Sequence, residues 1–342
     1  KNIILNMPKL DSIDIKNFQS NTGYVFDNIS LSYQLYGKEI GDSPIILVNH
    51  SLTGNSSLAG DKGWWSEIVG IDKAIDLNYF TVIAFDIPGN GYYHPTIENY
   101  KELSCKDIAK IFYLGLEKIG VSSLFAIVGG SIGGGITWEM ASLKNKFAEN
   151  IIPVACDWQT SDWILANTYL QKRILKNSQN PIEDARIHAM LSYRTPISLN
   201  NRFSNKKNER GSYLVEEWLS FHGESLSKRF NLEAYIAMNH LLSTVDITED
   251  DKEPREVLSK IKSNIHIVSI DSDYYFTLER DIYTYNLIKS VKKNIYHHII
   301  QSVHGHDGFL IENKKVSKIL SKILIESKNG NNTRKSKQRL SI

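Results

Sequence analysis

Two cysteines, Cys105 and Cys156, are all that the 342 residues contain. That number excludes a disulfide framework and a cysteine-built zinc site, and it fits a reducing compartment. Long apolar runs are missing too. None approaches the ~18 residues that a membrane helix requires, and the opening stretch, Lys1 to Asn6, is too short for a secretory signal. A soluble, cytoplasmic protein without a membrane partner is expected. The chain also lacks a charge of one sign. Forty basic residues face 38 acidic ones, and five of the basic residues lie in the last stretch, 328–342, which has no acidic residue. The rest is therefore slightly acidic, and nothing calls for nucleic acid as a partner. No Gly-Lys-Ser/Thr phosphate loop is present, and no register of residues 129–138 supplies the dinucleotide pattern Gly-x-Gly-x-x-Gly. No His and acidic residues have the spacing of H-E-x-x-H, so no metal is expected.

What is present centres on Val128-Gly129-Gly130-Ser131-Ile132-Gly133-Gly134. An aliphatic run, Leu124 to Val128, reads as a buried strand, and a helical pattern begins at Ile132. Between them stands a serine on a one-residue turn, the G-x-S-x-G nucleophile elbow. The turn holds the serine in a strained backbone conformation and pushes its hydroxyl above the sheet. Small neighbours are needed because strand and helix pass close together. The helix start aims N–H groups at an anion forming beside the serine.

Along the chain, apolar runs alternate with helical spacing. Residues 23–36 alternate as an antiparallel edge pair would. Residues 44–49, 80–85, 151–155, 265–270 and 295–299 read as strands, most of them continuous apolar runs of the kind covered on both faces. Helices are predicted over 64–75, 107–119, 278–288 and 315–325. The pattern predicts an α/β fold with a mostly parallel central sheet. From 162 to 246 it changes to helices alone (163–174, 185–193, 214–221, 232–242) with a polar loop at 200–210. This reads as a helical lid. The expected organisation is a core in two parts, 1–160 and 248–327, a lid over 161–247, and a basic tail over 328–342, disordered from about Asn329.

Function in such sheets gathers at the carboxyl ends of the strands. The loop His50-Ser51-Leu52-Thr53-Gly54, the loop from Asp86 to Gly91, and Ser131 all lie at such ends. A catalytic serine of this kind is followed by an acid after a late strand and a histidine after the last strand. Asp271 and Asp273 both meet the first requirement, and His304 and His306 both meet the second. His297 and His298 lie within a strand and read as structural. The chemistry would be nucleophilic acyl transfer. Histidine takes the serine proton, aspartate orients the imidazole, and two backbone N–H groups hold the oxyanion. One N–H comes from Ile132, the residue after the nucleophile. The other comes from the 50–54 loop.

These residues resemble the homoserine O-acetyltransferase family of α/β-hydrolase-fold acyltransferases. His50-Ser51-Leu52-Thr53-Gly54 is similar to that family's His-Ala-Leu-Thr-Gly. Gly63-Trp64-Trp65 with Lys73-Ala74-Ile75-Asp76 resembles its Gly-Trp-Trp and Lys-Ala-Leu-Asp. The elbow resembles Gly-Gly-Ser-Met-Gly-Gly. Ala185-Arg186-Ile187 through Leu191-Ser192-Tyr193-Arg194 resembles its lid helix. Ser272-Asp273 and Gly305-His306-Asp307-Gly308-Phe309-Leu310 resemble its Ser-Asp and Gly-His-Asp-Ala-Phe-Leu. The resemblance implies that Asp273 and His306 are the partners of Ser131, and that Leu52 is the second oxyanion donor. It implies that Arg186 binds the amino-acid carboxylate and that Asp307 meets the amine. The plain alternatives are a structural ion pair for Arg186 and a loop cap for Asp307. The implied reaction moves acetyl from acetyl-CoA, a co-substrate rather than a bound cofactor, to L-homoserine on the way to methionine. A homodimer is also implied. Pro88 to Pro95 and Gly135-Ile136-Thr137-Trp138 depart from the family pattern, and the lid between Gln171 and Arg186 looks shortened. These departures bear on the pocket. They leave open succinyl as the acyl group and serine as the acceptor, and an esterase or thioesterase shares the same triad.

Overall fold

The computed structural model describes residues 8–248 and 252–339. The strands are β1 (Leu10–Gln19), β2 (Val25–Gly37), β3 (Ile45–Asn49), the two-residue pair β4 (Val69–Gly70) and β5 (Ile75–Asp76), β6 (Thr81–Phe85), β7 (Leu124–Gly130), β8 (Ala148–Val154), β9 (Asn264–Ile270) and β10 (Ile295–Ile300). Among the described residues, eight of them form one sheet in the order β1-β2-β6-β3-β7-β8-β9-β10. β1, β2 and β6 pair antiparallel, and every pairing from β6 through β3 to β10 is parallel. β6 lies on one side of β3 and β7 on the other. The strand order therefore reverses at β3, and that reversal opens a crevice beyond its carboxyl end.

The central strands are apolar on both faces, which is why they read as continuous runs. In β3, Ile46 and Val48 join one core cluster and Leu47 the other. The first face is covered by Val316, Leu320, Ile323 and Leu324 of the closing helix, α11 (Asn313–Arg339). The second is covered by α1 (Cys105–Lys118) and α2 (Ile132–Leu143). α1 opens on a capping box: Ser104 accepts from the Asp107 N–H, and the Asp107 side chain accepts from the Ser104 N–H.

Between β8 and β9 the chain is helical: α3 (Asp162–Asn177), α4 (Pro181–Tyr193), α5 (Pro196–Phe203), α6 (Leu214–Ser227), α7 (Leu232–Leu242) and α8 (Pro254–Lys260). α9 (Leu278–Lys289) links β9 to β10, and the short α10 (Gly308–Ile311) precedes α11. None of the described helices is long and apolar enough to cross a membrane.

Four expectations are corrected. The stretch 64–75 is turns around β4 and β5, not a helix. Asp72 has φ 58° and donates its N–H to the Asp76 carboxylate, which also accepts from Asn78; these local bonds compete successfully with a helix. The edge partner of β2 is β1, outside 23–36. The polar loop expected from residue 200 begins later, because α5 runs to Phe203 behind a Thr195 cap and Pro196 at its first turn. The tail expected to be disordered from Asn329 continues α11 as far as Arg339; residues 340–342 lie outside the described residues. Once packed residues nucleate a helix, each added residue gains a hydrogen bond at little further cost, and no proline interrupts this one.

Candidate active site

Ser131 sits between β7 and α2 with φ 57° and ψ −127°, a conformation that costs a non-glycine residue about 1–3 kcal/mol. The surroundings over-determine it. Its N–H donates to Val154 O at 3.0 Å, tying the turn to β8. A Cβ on Gly129 would stand 2.1 Å from Gly133 O, and one on Gly133 would stand 2.3 Å from Asn49 O. Only glycine lets β7, α2 and the end of β3 approach this closely.

Two long connections complete the array. The Ser131 hydroxyl meets His306 Nε2 at 3.0 Å, and His306 Nδ1 donates to Asp273 Oδ2 at 2.8 Å. Asp273 follows β9, and its other oxygen accepts the N–H groups of Tyr275 (2.7 Å) and Phe276 (2.9 Å). A carboxylate held at both oxygens fixes the imidazole with Nε2 free to accept. The ring is boxed by Tyr193, Tyr275, Phe276 and Phe309, with centroids 5.2–5.6 Å away. All three members are buried. The structure thus separates the open pairs: Asp273 and His306 converge on Ser131. Asp271 accepts the Ser302 N–H, and His304 meets Ser198 and Arg194.

Above Ser131 lies a cavity of about 190 Å³. Leu52, Trp64, Arg186, Arg229, Tyr193 and Asp307 line it with Ser131 and His306. Ile132 opens α2 directly after the nucleophile. Arg186 comes from α4 with its guanidinium carbon 6.0 Å from the Tyr193 ring centre. Among the described residues it makes no ion pair, so the structural-pair alternative is not realised there. Asp307 stands before α10 but its side chain caps nothing. Burial pushes its carboxyl above the usual range, while His306, Arg186 and Arg194 pull the other way. Burial also pushes the Tyr193 phenol up to about 12, so it stays neutral.

Sequence reasoning gave no role to three neighbours. Arg194 lies 3.9 Å from the Asp307 carboxylate and donates to Ser198. Arg229, between α6 and α7, donates to Thr53 O at 2.9 Å. His50, fully buried and held below its usual range by that burial, bonds the loop after β3 on one side and Ile87 on the other. The adjacency of Arg194 to Tyr193 was a signal for the first. Arg229 carried none.

Residues 44–293 match the alpha/beta hydrolase fold family. The homoserine O-acetyltransferase of Nautilia profundicola is 29% identical over 350 residues, covering 89% of this chain and 94% of that protein. Among solved structures, the homoserine O-acetyltransferase from Bacillus anthracis superposes with a TM-score of 0.83 at 17% identity, covering 94% of this chain and 98% of that one. Esterase E22 superposes with a TM-score of 0.82 at 18% identity, covering 93% and 100%. At those identities the two structures speak for the fold, which acyltransferases and esterases share. The chain belongs to the alpha/beta hydrolase fold family, and by sequence it is similar to proteins named homoserine O-acetyltransferase.

Proposed function

We propose that the chain transfers an acetyl group from acetyl-CoA to the hydroxyl of L-homoserine through an acyl-enzyme at Ser131. The observation that carries this reading is Arg186. A guanidinium that closes no ion pair within 4.0 Å among the described residues lines the same cavity as the nucleophile. A hydrolase whose second substrate is water has no use for it, whereas an amino-acid acceptor brings a carboxylate that a guanidinium grips through paired hydrogen bonds. The names of the sequence relatives support the same acceptor and acyl group.

In the first half-reaction His306 Nε2 takes the Ser131 proton and Oγ attacks the thioester carbonyl. The N–H groups of Leu52 and Ile132 hold the oxyanion. Collapse breaks the C–S bond, and the CoA thiolate leaves with the proton from His306. In the second half-reaction the homoserine hydroxyl gives its proton to His306 and attacks the acyl carbonyl. Arg186 holds the carboxylate and Asp307 the ammonium. Collapse frees O-acetylhomoserine, and the proton returns to Ser131.

The test follows CoA and O-acetylhomoserine together, with acetyl-CoA or succinyl-CoA as donor and homoserine or serine as acceptor. Equal yields of CoA and ester from acetyl-CoA and homoserine are expected. CoA released without ester makes the protein a thioesterase. A preference for succinyl-CoA or for serine moves it to the related transferases.

A further inference from the structure

A loop that must present one backbone N–H to an oxyanion needs its peptide planes fixed, and the loop after β3 has no strand partner to fix them. Its planes are held one at a time by hydrogen bonds to their carbonyls. In a trans peptide the C=O and the following N–H point in opposite directions, so gripping one aims the other. Ser51 O accepts from His50 Nδ1 at 2.7 Å and from the Gly54 N–H at 2.9 Å. His50 has its proton on Nδ1 because Nε2 accepts the Ile87 N–H at 2.9 Å. The Leu52 N–H, on the opposite edge of the Ser51–Leu52 plane, is thereby turned away from His50. The next fixed plane is Thr53–Gly54. Its carbonyl accepts Arg229 Nη1 at 2.9 Å, with Nη2 3.5 Å from Thr53 Oγ1. Its N–H is the one that reaches Ser51 O.

We propose that Arg229 is a positioning residue for the oxyanion hole. Its grip on Thr53 O aims the Gly54 N–H at Ser51 O, and that bond sets the direction of the Leu52 N–H. The inference rests on the reading of Leu52 as an oxyanion donor. It makes the helical segment part of the acylation machinery: a residue beyond α6 shapes a hole built 176 positions earlier in the chain. The competing role is an anion anchor for a substrate carboxylate or phosphate, since Arg229 also lines the cavity. Two features favour positioning. Both terminal nitrogens of Arg229 already face Thr53, and Arg186 already supplies a cation to the same cavity.

The two roles part on a substrate that carries neither carboxylate nor phosphate. With p-nitrophenyl acetate and the full chain, a pre-steady-state burst reports the acylation of Ser131. Arg229→Ala is expected to slow the burst rate constant about tenfold or more, a fraction of the loss that follows removal of a whole oxyanion donor. KM for the ester should stay within about twofold. Arg229→Gln, which keeps one N–H donor for Thr53 O, should recover part of the rate and serves if the alanine variant does not fold. A burst as fast as wild type, with KM raised only for acyl-CoA or homoserine, overturns the inference in favour of the anion anchor. A smaller burst at an unchanged rate constant means lost folded enzyme and also overturns it. Persistence of the burst in Ser131→Ala overturns the acyl-enzyme reading itself, an outcome distinct from a fast burst in Arg229→Ala alone.

Discussion

Two serines in this fold stand among an aspartate and a histidine, and only one of them is placed to attack a carbonyl. Ser131 meets His306, which meets Asp273. Ser269, in β9, donates to Asp281 of α9 at 2.5 Å and meets His297 Nε2 of β10 at 2.7 Å. The residue types are the same and the distances are comparable, but the order differs. In the first array the histidine is in the middle and the serine proton points at a base. In the second the serine is in the middle, and whenever Asp281 is ionised its single proton goes to the carboxylate. His297 must then donate to Ser269 and cannot draw its proton. The backbone differs as well. Ser131 occupies a strained turn at the end of a strand with a helix beginning beneath it, whereas Ser269 lies within a regular strand and is 1% exposed. Residue identity does not make a nucleophile; position at a strand end and the direction of one proton do.

Substitutions at matched positions sharpen this contrast. Ser131→Ala is expected to lower kcat by about 10⁵-fold or more, while Ser269→Ala should leave it within about threefold; comparable losses in steady-state assays would erase the distinction. Asp273→Asn should follow at about 10⁴-fold, because the amide no longer holds the imidazole in the tautomer that accepts from serine. Next comes Arg186→Ala, which separates chemistry from choice of acceptor. KM for homoserine should rise roughly tenfold to a hundredfold, the value of a charged hydrogen-bonded pair, with the burst on p-nitrophenyl acetate unchanged. A slower burst would place Arg186 in the acylation step instead.

The smallest effect concerns stability. Burial pushes the Asp281 carboxyl well above its usual range against the pull of the Ser269 bond, and the charges of Asp157 and Asp273 push the same way. A carboxyl whose folded pKa is raised lends stability that is complete below the unfolded value near 3.8 and is lost as pH climbs through the folded value. Relative to Asp281→Asn, the wild type should therefore lose stability as pH rises from 4 to 8. Urea denaturation across that range reads the difference. Parallel curves for the two proteins would show that Asp281 titrates normally.

Much of the frame was legible because it is written locally. Buried parallel strands appear as aliphatic runs, and Ile45–Asn49, Thr81–Phe85 and Asn264–Ile270 are such runs. One-sided elements were harder. β1 buries Ile15 and Phe18 and exposes residues between them, and Asn17 at φ 52° breaks its period. α5 and α8 escaped notice although each has a proline in its first turn. The stretch with Trp65, Ile68 and Ile75 mimics helical spacing because its turns bury all three on one side of the sheet.

The sequence by itself determined that a serine would stand on a tight turn at the end of a central strand. It also determined that an acid and then a histidine would follow at the ends of later strands. Such placements depend on neighbours within a few residues and on the fixed geometry of a parallel sheet. The tertiary structure alone decided which of two aspartates and which of two histidines converge. It also decided that Arg194 stands behind Asp307 and that Arg229 reaches Thr53. Those contacts span 113 and 176 positions. Side chains so far apart in sequence meet only through the packing of the helical segment on the sheet, and no local pattern encodes that packing.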